Sequence, residues 1–232
     1  MKKIMTLKVC ILLSILGSIV SCTQAPKSDE AKVGEAQKIE TTAPKATNTQ
    51  NAKVRNLKVD TQNSIVSWIG TKPVKRHNGT IAVQSGNLVA QGNNITGGEF
   101  VMDMKKVRVL DMDEENNNNL AGHLMSEDFF KSEQYPTAKF VINKVVPYAP
   151  INGEKSLLSG ATHNVTGNFT LLGTTKSITF PAKVSISDNG VKAEANFNID
   201  RTNWGVSYGN DQSLGNKFIK PTVNIGINLT AN

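Results

Sequence analysis

Along most of the chain, apolar and polar residues alternate in short runs. Phe100, Met102 and Met104 alternate with Val101, Asp103 and Lys105; Phe140 and Ile142 with Lys139, Val141 and Asn143; Ala193, Ala195, Phe197 and Ile199 with Lys192, Glu194, Asn196 and Asn198. A period of two sends alternate side chains to opposite faces, so each run reads as a β-strand with one buried and one wet face. Similar runs occupy residues 64–69, 79–83, 165–171, 177–186 and 222–229, the last with Val223, Ile225, Ile227 and Leu229 on one side. Turn signals such as Asp188-Asn189-Gly190 separate them. About eight such strands predict an all-β domain, an antiparallel sandwich or barrel, and closure into a barrel would leave no open edge.

One stretch departs from this period. Between Asp111 and Lys131, Leu120, Leu124, Phe129 and Phe130 fall at helical spacing among acidic and amide residues. A helix is predicted here, with Asp111 or Asp113 as its cap and Ser126 starting a second short turn. The run Asn116 to Asn119 weakens that helix and leaves a loop as the alternative. Such a segment would lie across the mouth of a barrel.

The chain opens differently. Lys2, Lys3 and Lys8 precede an apolar run over residues 9–20, which reads as a signal peptide covering residues 1–21 and is too short to remain as a membrane-spanning helix. Its end, Ile19-Val20-Ser21-Cys22, resembles the bacterial lipobox, in which the cysteine becomes the lipidated N-terminus. Several acyl chains on Cys22 would make a stable anchor in the membrane. Thr23, where an aspartate would favour inner-membrane retention, tilts the expected location in a Gram-negative envelope towards the outer membrane. Residues 22–55 are poor in large apolar side chains and are expected to be a disordered tether with a random-coil span of about 30 Å. The folded domain is expected over residues 56–232.

Composition narrows the chemistry. Cys10 leaves with the signal peptide and Cys22 takes the lipid, so the domain has no disulfide, no thiol nucleophile and no thiolate metal site. The formal charge of +7 falls by three with the lysines of the signal peptide, and the remaining lysines are scattered. That pattern fits a solvated surface and not a nucleic-acid interface. His77, His123 and His163 share no ligand spacing, and His123 is expected to cap or orient the helix. No Gly-x-Ser-x-Gly elbow or phosphate loop is present, and Asp111, Asp113, Glu114 and Glu115 read as a helix-start charge run. No enzyme, cofactor or metal is predicted.

Three motifs carry a resemblance. Gly122-His123-Leu124-Met125-Ser126-Glu127-Asp128-Phe129-Phe130, with Tyr135-Pro136-Thr137-Ala138-Lys139-Phe140, resembles the central signature of the YceI-like family. Residues 165–176 with Ile178-Thr179-Phe180-Pro181-Ala182, and Ile199-Asp200-Arg201-Thr202-Asn203-Trp204-Gly205, are similar to two further segments of that family. The resemblance spans about residues 57–229 and implies a single lipocalin-like antiparallel barrel around an apolar channel. It also implies an isoprenoid-type lipid, a quinone or a polyprenyl phosphate, as ligand. On that basis the expected lining is Val66, Trp68, Phe100, Met102, Phe140, Ile142, Phe169, Leu171, Phe180, Phe197, Ile199, Ile225 and Ile227, with Trp204 beside it. Arg201 is a candidate for the headgroup, the alternative being a structural ion pair with Asp200 or Asp103. Binding, storage or transport of such a lipid, with the membrane as second partner and a homodimer as a possible assembly, is the leading expectation. The competing one is an envelope interaction module whose barrel is filled by its own side chains. A lipid-modifying enzyme would need an acid–base pair at the mouth.

Overall fold

A computed structural model describes residues 25–38, 53–151 and 156–232; Cys22 and the signal peptide lie outside them. In chain order the strands are β1 (Asp29–Glu30), β2 (Lys32–Glu35), β3 (Val54–Lys58), β4 (Ile65–Thr71), β5 (Arg76–Gln91) and β6 (Asn94–Val109). The helix α1 (Glu114–Met125) follows, then β7 (Thr137–Pro147), β8 (His163–Leu171), β9 (Thr174–Ser187), β10 (Gly190–Asp200) and β11 (Thr222–Ala231). Strands β10, β11 and β4 to β9 pair in that order, and β9 returns to β10, which closes an eight-stranded antiparallel barrel. Strand β3 adds to the far end of β5. The expected alternation appears as burial, with Phe100, Met102 and Met104 buried and their neighbours on β6 facing outward. At Gly167 on β8 the bare backbone is filled by the ring of Phe140 on β7, so a side chain there would displace a residue of the interior.

The closing seam is incomplete. Strands β9 and β10 pair from their turn only as far as Ala182 and Ala195, and the next residue of β9 is Pro181. The carbonyl of Ala182 accepts from Thr162 on the β8 side, so position 181 faces β10. Proline has no N–H to offer there, and the ladder stops. Beyond it, β10 pairs with β1 in parallel through Phe197 and Asn198, while β9 pairs with β2 antiparallel from Thr179 to Lys176. A strap of N-terminal chain therefore fills the opening, with Ala31 and Val33 packed on the core.

This corrects the expectation of a disordered tether over residues 22–55: residues 29–30 and 32–35 are strand. Its partners are amides that read from sequence as a wet outer face. Asn224 Nδ2 donates to Ser28 Oγ at 3.0 Å and Asn198 Nδ2 to Glu30 Oε1 at 2.9 Å, while Ser28 also bonds Asn196. Asn168 and Gln37 bond reciprocally, Gln37 N donating to Asn168 Oδ1 at 2.9 Å and Asn168 Nδ2 to Gln37 O at 2.7 Å. Asp29 receives Ser156 Oγ at 2.7 Å and Leu157 N at 3.0 Å, which ties the strap to the β7–β8 connection.

The helix is shorter than the span of residues 111–131, and the asparagine run lies inside it. Asp113 is the cap and accepts from Asn116 N at 2.9 Å. Asn117 exchanges two bonds with the backbone of Met112, at 3.2 and 3.0 Å, so poor helix formers are held by the cap they also help to build. Among the described residues no helix is long and apolar enough to cross a membrane.

Candidate functional site

The barrel encloses a cavity of about 480 Å³. Its walls come from the inward phases of the strands: Val66 and Trp68 on β4, Phe100 and Met102 on β6, Phe140 on β7, Phe169 and Leu171 on β8, Phe180 on β9, Phe197 and Ile199 on β10, and Ile225 and Ile227 on β11. These expected residues converge because every strand presents the same phase to one enclosed space. Ile142 does not join them; it borders a second void of about 50 Å³ at the other end of the barrel. The two spaces share Ile227 and the rings of Phe100, Phe140 and Phe180. Those rings form a row with Phe197, with centroids 5.5 Å (Phe100–Phe140), 5.6 Å (Phe140–Phe180) and 4.1 Å (Phe180–Phe197) apart, the last pair stacked. The row is the floor of the larger cavity.

The roof is built after β6. Leu120, His123 and Leu124 on α1 face the cavity, together with Phe129, Phe130 and Tyr208. The His123 ring stands edge-on to Phe129 at 5.2 Å and to Tyr208 at 4.9 Å. Its carbonyl accepts from Ser126 N and Oγ, so this residue both ends the helix and helps to roof the cavity. Its place in the roof is not visible in strand or helix spacing. Helical spacing did place Leu120 and Leu124, but Tyr208 and Ile219 lie in an irregular connection that carries no periodic signal.

Polar side chains gather only at the roofed end, where Thr71, Lys72, His77, His123, Arg201 and Lys217 reach the lining. Arg201 is not paired with Asp200 or Asp103, as the ion-pair alternative required. The residue is 5% exposed and its guanidinium donates to backbone carbonyls: Nε to Lys220 O at 3.3 Å, Nη2 to Tyr208 O at 3.0 Å and to Ile219 O at 2.9 Å, and Nη1 to Val206 O. It folds the β10–β11 connection, and burial lowers its pKa while Asp200 opposes that shift. Most of its donors are spent, which removes it as the principal headgroup ligand. Trp204 is also structural: fully buried behind the wall, it donates from Nε1 to Phe169 O at 3.0 Å and is absent from the lining.

Two His–Asp pairs sit near the mouth. His77 Nδ1 lies 3.0 Å from Asp111, whose other oxygen accepts from Asn78 N at 3.1 Å, so the carboxylate clamps the start of β5 to the segment that follows β6. Burial lowers the His77 pKa from 6.5 against the pull of Asp111. His123 Nε2 lies 3.1 Å from Asp128 at the surface. Both pairs join turns of the chain, and the deep part of the cavity contains hydrocarbon alone.

A YceI-like domain model matches residues 57–231, the full extent of the barrel. The chain belongs to the YceI-like family. Two solved structures share the YceI-like fold with it at low identity. BcnA from Burkholderia cenocepacia has a TM-score of 0.53 at 19% identity over 75% of this chain and 99% of that one. A polyisoprenoid binding domain from Saccharophagus degradans, described as implicated in plant cell wall breakdown, has a TM-score of 0.54 at 12% identity over 78% and 99%. A comparison with curated proteins finds no match. The YceI-like match begins at Leu57, so the strap that seals this barrel lies outside the region recognised as the family domain.

Proposed function

We propose that this YceI-like protein binds a lipid with a long apolar tail, of isoprenoid type, and carries or stores it in the cell envelope without altering it. One observation carries the reading: a closed barrel keeps an apolar cavity of about 480 Å³ open between an aromatic floor and a polar rim. A tail has no hydrogen-bonding groups, so its affinity derives from apolar area, about 25 cal/mol per Å² less the cost of ordering the chain. The polyisoprenoid binding described for the Saccharophagus degradans domain of the same fold supports isoprenoid as the class. The envelope location rests on the lipobox at Cys22, which would tether the barrel to the membrane that supplies or receives the ligand. A barrel serving only as an interaction module would be expected to fill its interior with side chains, and the open volume weighs against it.

The test is extraction of the purified full chain with organic solvent followed by mass spectrometry, then exposure of the delipidated protein to isoprenoid lipids. Recovery or uptake of a stoichiometric long-tailed lipid is the expected result. A delipidated protein that takes up none would overturn the proposal.

A further inference from the structure

Granting that the cavity takes an apolar tail, we propose that the tail enters and leaves sideways, through the seam between β9 and β10, with the strap of residues 28–37 as its door.

The cavity reaches that seam from both sides. Ile178 and Phe180 on β9 and Phe197 and Ile199 on β10 all line it. Past Ala182 and Ala195 these two strands no longer pair, and the strap runs between them. Asp29 lies beside Phe197, Val33 beside Ile178, and Ala31 N donates to Asn198 O at 2.9 Å. Two strands with a third between them stand about two inter-strand spacings apart, roughly 10 Å. At the fork the stacked rings of Phe180 and Phe197 close the gap, and beyond them the strap fills it. The lining includes no strap residue, so withdrawing the strap opens a slot along the apolar wall and removes nothing that touches the tail.

Of the elements that enclose the cavity, the strap has the least apolar hold. It sets only Ala31 and Val33 against the core, where the roof sets Leu120, Leu124, Phe129 and Phe130. Beyond its backbone ladders, its ties are polar: Asn198 Nδ2 to Glu30 Oε1, Asn224 Nδ2 to Ser28 Oγ, and Lys176 Nζ to the exposed Glu35 at 2.8 Å. A segment held in this way opens locally at a lower free energy than the whole fold. The direction of travel favours the same route. Polar side chains gather at the mouth and hydrocarbon lies deep, so a lipid using the mouth goes in tail first. A lipid in a bilayer presents its head first and would have to leave the membrane and turn over. Through a lateral slot the tail slides across while the head stays wet, which exposes less hydrocarbon to water on the way.

The test locks the door reversibly. The full chain with Cys10→Ser and Cys22→Ser, which removes both native thiols, receives Lys32→Cys and Thr179→Cys, partners in the β2–β9 ladder. Facing positions of an antiparallel ladder lie about 4.5–5.5 Å apart at Cα, within the reach of a disulfide. The delipidated protein is loaded with retinol, a fluorescent isoprenoid alcohol, and its release to excess phosphatidylcholine vesicles is followed by fluorescence. Closing the disulfide is expected to slow release about tenfold or more and to leave the equilibrium affinity within about twofold; dithiothreitol should restore the rate. In a separate chain, Ser28→Ala with Glu30→Ala loosens the strap from outside and should speed release several-fold at the same affinity. Release indifferent to a closed disulfide would overturn the door, route the tail through the mouth and leave the tail site standing. Should the pair not close, the Ser28→Ala, Glu30→Ala chain decides: unchanged release, or faster release fully matched by weaker binding, would overturn the door equally. Failure of both retinol and geranylgeraniol to bind the unlocked protein would overturn the tail site as well.

Discussion

At the scale of single residues, buried polar groups decide more than their number suggests. Arg201→Ala should leave the carbonyls of Val206, Tyr208, Ile219 and Lys220 without their shared donor, at a cost of about 3 kcal/mol. The expected outcome is a lower melting temperature and faster tryptic cleavage at Lys217; Arg201→Lys should not rescue it, because a point charge cannot replace a planar fork. Histidines give a pH dependence of definite sign. Burial holds His77 and His163 below the ordinary value of 6.5, so the unfolded chain takes up protons that the folded one refuses. Their contribution is complete above 6.5 and is lost as pH falls from there through each depressed value. Thermal denaturation between about pH 7.5 and 5 should therefore show falling stability, and the double variant His77→Asn, His163→Asn should flatten that slope. Two exposed carboxylates, Asp113 at the start of α1 and Asp211, which caps the 3-10 helix Gln212–Lys217, are held low first by the backbone amides of Asn116 and Ser213 and act in a separate window below 3.8.

At the scale of elements, the strap explains what alternation can and cannot reveal. Val33→Asp would set a carboxylate against the apolar core where β2 meets β9, destabilising the protein by about 2 kcal/mol. Hydrogen exchange should accelerate first at Phe197, Asn198 and Thr179, which pair with the strap; unchanged exchange there would show that the strap is not what protects the seam. Residues 29–35 carry only a short apolar alternation, Ala31 and Val33, because the strap is held also by backbone ladders with β9 and β10 and by amides on other strands, Asn168 at Gln37, Asn196 and Asn224 at Ser28, and Asn198 at Glu30. Phe100, Met102 and Met104 were legible because one face of β6 does all its packing inward. Pro181 was legible as a residue, but that its missing N–H faces β10 depends on register, which no local pattern encodes.

At the scale of the whole molecule, the interior is one barrel partitioned by aromatic rings. Phe140 touches both the larger cavity and the smaller void behind it, so Phe140→Ala should join them at a stability cost of about 3–5 kcal/mol. Lipids recovered from that variant should be shifted towards longer tails by mass spectrometry; an unchanged length distribution would mean that the floor does not limit the ligand. The strap has a mechanical consequence on this scale. A chain of roughly 33 residues between Cys22 and the barrel would span at most about 110 Å when drawn out, but a strap held from Ser28 onward leaves a separation of about six residues from Cys22, about 20 Å at full extension. For a lipid-anchored chain, the leash would then have two lengths, short while the zipper of asparagines is closed and long once it is peeled. The barrel's working radius would be set by the same hydrogen bonds that close its wall.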